Sequence, residues 1–450
     1  MKPNQGSTEG SEPQSKGSDN NDMTGGDGRS PSDSPFNPWR VAAGNELMQL
    51  VAQACKDVEA YEERHATRKR KRKVKDQKTF DDTVSALLCD VIHHQLSGSD
   101  AGIYISRSNS KLGTKDRYRA PALNKKLPSI LDILASAELG YLRQTKGDDY
   151  RGSTARRTVI RAGDLTLNQI ADVGISIADI GESRYQEPIV LKKEKESRLD
   201  KGTYLQYKDT DQTTQYRQEI NVINDRLEAS ELLIDREALG PSSPNYNMHK
   251  RWVRRVFTRG RFRSGGRLFG GFWQDMSKQE RRQSLKIDGE QAAELDFGQM
   301  AARILYGIAK AQPEPKDAYV IPDLGGVNRE GVKKVFSAMQ FRQGPLDRLP
   351  MGTRQFFPRR YKAIDVDRAI RKAHPAIADL LGTEIGHYGQ FLESQIMVGI
   401  LLALKDESVT GLPVHDAVLV PASRADRATE VMLLIFRQHT GVEGSVSREY

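Results

Sequence analysis

Residues 285–305 read LKIDGEQAAELDFGQMAARIL, and their pattern decides the fold class. Residues 285–287 and 291–297 have strand character, and Asp288-Gly289 between them is a hairpin signal, since that dipeptide tolerates the positive φ angles of a tight turn. After Phe297 the apolar spacing becomes helical. Asp296 is therefore expected at a strand end, just ahead of a helix. A carboxylate there can hold a divalent cation, with the backbone carbonyl of Phe297 as a second oxygen ligand. A strand-end Asp is also a common helix N-cap, so this stretch alone leaves both roles open.

Two later segments extend the pattern. Residues 411–421, GLPVHDAVLVP, read as two short apolar strands separated by His415-Asp416, which puts Asp416 at a hairpin tip. An apolar helix over 390–405 precedes them and is expected to pack beneath the sheet. Residues 329–341, REGVKKVFSAMQF, read as a helix with Arg329, Lys333 and Phe341 on one side and Val332, Val335, Phe336 and Met339 on the buried side. Two cations and a ring on one stripe suit triphosphate oxygens and a stacked base, although a solvated basic face has the same spacing.

In order, Asp296 followed by FGQMAA and Arg303, then Arg329-x3-Lys333-x7-Phe341, then His415-Asp416 resemble motifs A, B and C of the family A polymerases. That group includes bacterial DNA polymerase I and the single-subunit phage and mitochondrial RNA polymerases, and the resemblance covers about residues 245–440. It implies an α+β right-hand polymerase palm built on an antiparallel sheet, with helical fingers. It further implies that Asp296 and Asp416, with the Phe297 carbonyl, hold two Mg²⁺ (or Mn²⁺) ions, and that Lys333 neutralises the departing phosphates. Arg329 would grip the γ-phosphate, and Phe341 stands where the family usually has a Tyr that stacks at the insertion site. Arg303 and His415, inside the motifs, would contact nucleic acid. The implied partners are a DNA template, a primer or nascent strand, and nucleoside triphosphates.

The sequence departs from that family at informative positions. Many of its DNA polymerases carry Glu five residues after the first Asp, where it obstructs a ribose 2′-hydroxyl; here the residue is Ala301. Ser337 replaces an aromatic residue four after the lysine, and Ala417 replaces a Glu after the second Asp. Ala301 tilts the expectation towards ribonucleotide tolerance and leaves DNA or RNA product open.

Outside this half the signals are compositional. The chain has 450 residues, 69 basic against 60 acidic, for a net charge of +9. Residues 1–38 hold three bases and six acids among Ser, Gly, Asn, Asp and Pro, and are expected to be disordered. Residues 39–79 read as a helix from Trp39 to about Ala66 running into the basic run Arg68–Lys73, either a solvated linker or a nucleic-acid arm. Residues 80–162 read helix, strand, helix, strand, basic loop, strand, the order of a winged-helix DNA-binding domain. Residues 163–245 read as a connector or thumb-like helical region with a helix at 216–234, and 246–450 as palm and fingers.

Between 249 and 286 twelve bases face two acids, with Trp252, Phe257, Phe262, Phe269, Phe272 and Trp273 interleaved. Arg259, Arg261, Arg263 and Arg267 are expected to contact phosphates there, with bases stacked on exposed rings. Two cysteines exclude a disulfide scaffold, and no Cys/His spacing suits zinc. The longest apolar run, residues 396–404, is too short to span a bilayer, and the first 35 residues lack an apolar signal segment. A soluble, cytoplasmic protein is the resulting expectation. The combined reading is a template-directed nucleotidyltransferase serving replication of a plasmid, phage or mobile element. The alternative is a non-catalytic winged-helix replication initiator with a degenerate palm.

Overall fold

The computed structural model describes residues 33–98, 101–147, 157–195, 200, 202–240, 243–244, 246–313, 316–325 and 327–449. Most of the expected disordered tail (1–32) and most of the basic loop with Arg151 and Arg156 (148–156) lie outside the described residues. The chain is a mixed α+β protein of two compact units. One holds the described residues up to Gly113 together with Pro121–Ile180; the other holds Thr114–Ala120 and the chain from Gly181 onward. Among the described residues no helix is long and apolar enough to cross a membrane.

In the first unit, helices Asn45–Arg64, Val74–Leu96 and Leu127–Leu134 bury Leu47, Ala54, Leu87, Leu88, Ile92 and Leu131 in one core. A four-stranded sheet lies in the order Ser34–Pro35, Ile103–Ile105, Thr158–Ala162, Leu142–Thr145, its first pair parallel and the rest antiparallel. Residues 33–38, read from composition as unstructured, are held in place. The Asp33 carboxylate accepts from the Gly102 N–H at 2.8 Å, and the Asn37 N–H donates to the buried Asp90 carboxylate at 2.8 Å. Phe36 packs against the core, which a Ser/Gly/Pro count over the whole tail conceals. The first helix starts at Asn45 rather than Trp39, because Arg40–Ala42 is a strand. Of the basic run, Arg72 is tucked in, its guanidinium stacked 3.7 Å over Phe80 and paired with Glu62 at 2.6 Å. The segment around it is a link between two helices.

The second unit is organised on a six-stranded sheet. Its main path runs Leu412–Val414, Ala417–Pro421, Glu290–Phe297, Leu285–Ile287, Leu232–Ile234, and Val446–Glu449 also pairs with the central Glu290–Phe297 strand. All these pairings are antiparallel. The Asp288-Gly289 turn forms as expected, with φ of 50° and 82°. Helices Met300–Ile308, Gly386–Asp406 and Ala425–Thr440 contribute Leu305, Ile396, Ile400, Leu401 and Phe436 to the core shared with Leu295, Phe297, Val418 and Leu419. The helix expected at 216–234 spans Asp211–Ala229, and the remainder becomes the edge strand Leu232–Ile234. A three-stranded sheet of Ile189–Leu191, Arg254–Phe257 and Gly265–Phe269 stands apart, so the expected connector also supplies a strand.

Candidate functional site

The central strand Glu290–Phe297 pairs with Ala417–Pro421 so that Asp296 stands opposite Ala417, and the Phe297 N–H reaches the Asp416 carbonyl at 3.4 Å. The two acids, 120 positions apart in sequence, thus lie at the same end of neighbouring strands. The Asp416 hairpin closes through His415 at φ 55°. It is pinned from below by Trp273 Nε1 and Gln274 Nε2, which both donate to the Pro413 carbonyl at 3.0 and 2.9 Å. The helix beginning at Met300 follows Asp296 after Gln299 adopts a left-handed φ of 60°, a break that ends the strand and turns the chain.

The two carboxylates act on each other electrostatically. Burial and then the Asp416 charge push the Asp296 carboxyl up to about 6, with Lys278 and Lys333 pulling the other way. Lys333 is exposed on the helix Arg329–Gln340, whose N-cap Asn328 accepts from the Glu330 N–H at 2.8 Å. Asp296 and Asp416 thus lie side by side at one end of the sheet, and the Lys333 charge acts weakly on Asp296. The other expected residues divide. Arg329 is half exposed and paired with Asp317 at 2.6 Å while lying 5.1 Å over the Tyr319 ring. Phe341, the residue after the helix, meets the His387 ring edge-on at 5.1 Å. A side chain at Gly386 would lie 2.8 Å from the Phe341 ring, so only glycine lets the ring pack there. Ala301 is exposed on the first turn of the Met300 helix. The Phe297 ring is buried against Phe436 at 5.2 Å.

The expected phosphate-binding hairpin differs most from its reading. Arg267 forks onto Glu393, with Nε to Oε1 at 2.6 Å and Nη2 to Oε2 at 3.0 Å. Arg259 pairs with Glu194 at 2.7 Å and Glu384 at 3.0 Å. Arg303 donates to the Glu443 carbonyl at 2.6 Å. Only Arg261 and Arg263 of the four hairpin arginines remain on the exposed surface, Arg263 beside the Tyr388 ring. The rings Trp252, Phe257, Phe272 and Trp273 are core residues, not stacking platforms. Phe269 is exposed and lies 5.9 Å from the His415 ring. Burial, with Arg267 next in effect, holds His415 below the usual imidazole range, so the neutral ring prevails at neutral pH.

Some members of the site escaped the sequence. Glu393 is 5% exposed, and burial pushes its carboxyl up despite Arg267. A signal was visible: Glu393 is the one acid in the apolar helix read over 390–405, and an acid on such a helix, when buried, needs a cation partner. Tyr319, also 5% exposed, is pushed up to about 12 by burial, with Asp416 among the charges it feels. The segment carrying it is fixed to the Asp296 side by the Ala318 N–H donating to Gln299 Oε1 at 2.7 Å.

Among the described residues no group of three or more His, Cys, Asp or Glu side chains is arranged to hold a metal. The donors available are the two carboxylates. They suit hard oxygen-seeking cations such as Mg²⁺ or Mn²⁺, and a cation would relieve the repulsion that raises Asp296.

No family model matches this chain, and no curated protein matches it. Among solved structures, the POL domain of Pol1 from M. smegmatis, in complex with DNA primer-template and dNTP, is similar at 12% identity and a TM-score of 0.28. The match covers 92% of this chain and 67% of that one. A TM-score that low establishes no common fold, so the functional reading rests on the residues.

Proposed function

We propose that this protein is a template-directed nucleotidyltransferase whose second unit is a palm with helical fingers, acting at Asp296 and Asp416. The observation that carries the reading is the pairing of these acids at one end of one antiparallel sheet, under the influence of Lys333. Paired carboxylates are costly to assemble without a cation to hold. Divalent ions bound by Asp296 and Asp416, with the Phe297 carbonyl, would supply charge neutralisation for phosphoryl transfer. Lys333 would offset charge on the leaving phosphates, and Arg329, oriented by Asp317, would meet the triphosphate. Phe341, backed by His387, would receive the incoming base, and Ala301, small where the resembled DNA polymerases carry Glu, would leave a ribose hydroxyl unobstructed. Arg261, Arg263 and His415 are the nucleic-acid contacts that this reading retains at the hairpin.

The first unit is proposed as a winged-helix DNA-binding module delivering the second to DNA. The strand order Ile103–Ile105, Thr158–Ala162, Leu142–Thr145, with helices before and after the first strand, supports that reading.

The test is incorporation on primed and unprimed templates with Mg²⁺ or Mn²⁺ and either dNTPs or NTPs. Primed extension identifies a polymerase, and product from NTPs without primer identifies a primase or RNA polymerase. Asp296→Ala and Asp416→Ala are each expected to abolish product while leaving nucleic-acid binding within about twofold. An active variant of either kind overturns the assignment.

A further inference from the structure

The arginines of 249–286 are largely engaged inside the fold, yet the chain carries +9. Residues 348–364, RLPMGTRQFFPRRYKAI, hold Arg348, Arg354, Arg359, Arg360 and Lys362 and no acid. All five cations are exposed. Among the described residues none of them is ion-paired, in contrast to neighbours such as Lys372, which meets Asp323 at 2.8 Å. Arg354 donates instead to the Tyr361 and Pro358 carbonyls at 2.8 and 3.1 Å, and Arg360 lies 4.9 Å over the Tyr361 ring.

The loop is ordered without help from charge. Thr353 is buried and its hydroxyl donates to the Pro350 carbonyl at 2.6 Å, and Phe357 is buried beside it. Phe356 is seated on the helix Arg329–Gln340, where a Cβ at Gly331 would stand only 2.4 Å from the Phe356 Cβ. Lys334 of the same helix lies 5.0 Å over the Phe356 ring. The uncompensated cations thus continue, on a fixed scaffold, from the helix that carries Lys333. Met351, 86% exposed, adds apolar surface among them, and Phe356 and Tyr361 are partly buried against the core with their outer edges accessible.

We infer that residues 348–362 form a binding surface for a single-stranded polynucleotide. Regularly spaced phosphates complement cations that have no carboxylate partner, and unpaired bases, which a duplex keeps within its own stack, can lie on Met351 and on the outer face of the Arg360 guanidinium that covers Tyr361. The position of this strand beside Asp296 and Asp416 rests on the reading proposed above; the binding itself does not.

Anisotropy of a labelled mixed-sequence oligonucleotide tests it, comparing the full chain with the triple variant Arg359→Ala/Arg360→Ala/Lys362→Ala. Affinity is expected to fall about tenfold or more at ~0.1 M salt, and the slope of log affinity against log salt to become shallower by about 2. Blunt duplex binding should change less, and Arg359→Lys/Arg360→Lys should keep most of the affinity. Unchanged affinity and slope would overturn the inference, as would an equal loss for heparin, which would mean contact with any polyanion. If the wild type makes no product but the triple variant loses binding, the catalytic reading fails and this surface stands. Normal synthesis with unchanged binding in the triple variant gives the reverse.

Discussion

At the residue scale, Asp296 is the group whose environment is most distinctive. Its folded-state value of about 6 lies above its ordinary 3.8, so its protonated form carries stability that is complete below 3.8 and lost as the pH rises through about 6. Asp296→Asn removes that ionisation. In a metal-free buffer at pH 8 the variant should be more stable than wild type by about 1 kcal/mol, after allowance for the partial exposure of the group. The difference should vanish below pH 4, and thermal melts across pH with EDTA check both ends. Added Mg²⁺ should stabilise the wild type and not the variant. Lys333 makes a different prediction, because it is exposed and, among the described residues, belongs to no tight ion pair. Lys333→Ala should leave the melting temperature nearly unchanged but lower the maximal incorporation rate by about 10² or more, as expected for a charge that meets the leaving group. An unaltered rate would place Lys333 outside the chemistry.

At the element scale, the central strand is held in position by a pair that the sequence did not announce. Glu294, two residues before Asp296, is 4% exposed and receives Arg281 Nε and Nη2 at 3.2 Å. Arg281→Ala leaves a carboxylate buried and unpaired in the strand that positions Asp296. It should cost about 3 kcal/mol, whereas replacing both partners with apolar residues of similar volume should recover most of that loss. Chemical denaturation of the two variants measures the difference; equal losses would mean that the pair contributes only packing. The two turns were legible because Asp288-Gly289 and His415-Asp416 are short-range punctuation between apolar runs, and the strands had little freedom to pair otherwise. The hairpin arginines were not legible. Arg267 meets Glu393 and Arg255 meets Ser394 at 2.8 Å, partners more than a hundred residues away that only tertiary packing selects. Composition counted those guanidinium groups as surface charge, while burial pushes Arg255 down to about 10.

At the scale of the whole molecule, two units with separate cores divide the chain at a point the sequence did not mark. The segment 114–120 joins the second unit although its flanks belong to the first, since Tyr118 donates to the Leu205 carbonyl at 3.0 Å and Arg117 stacks 3.6 Å over Tyr207. Local periodicity locates helices and strands, but membership of a core depends on such distant contacts. The α+β class was readable from the strand and helix periods, whereas the meeting of Asp296 with Asp416 was implied only by the order of the three motifs, since each acid alone suits an N-cap or an ordinary turn equally well. The basic loop of 348–362 was missed because its cations are scattered among prolines and rings rather than clustered. Nucleotidyl transfer by this protein requires the acid pair to bind a divalent ion. Mn²⁺ binding followed by electron paramagnetic resonance, on wild type and on Asp296→Asn and Asp416→Asn, tests this most directly. Saturable binding in the wild type that either substitution weakens by about tenfold or more is the predicted result; binding that survives both substitutions unchanged, or is absent from the wild type with nucleotide present, would contradict it.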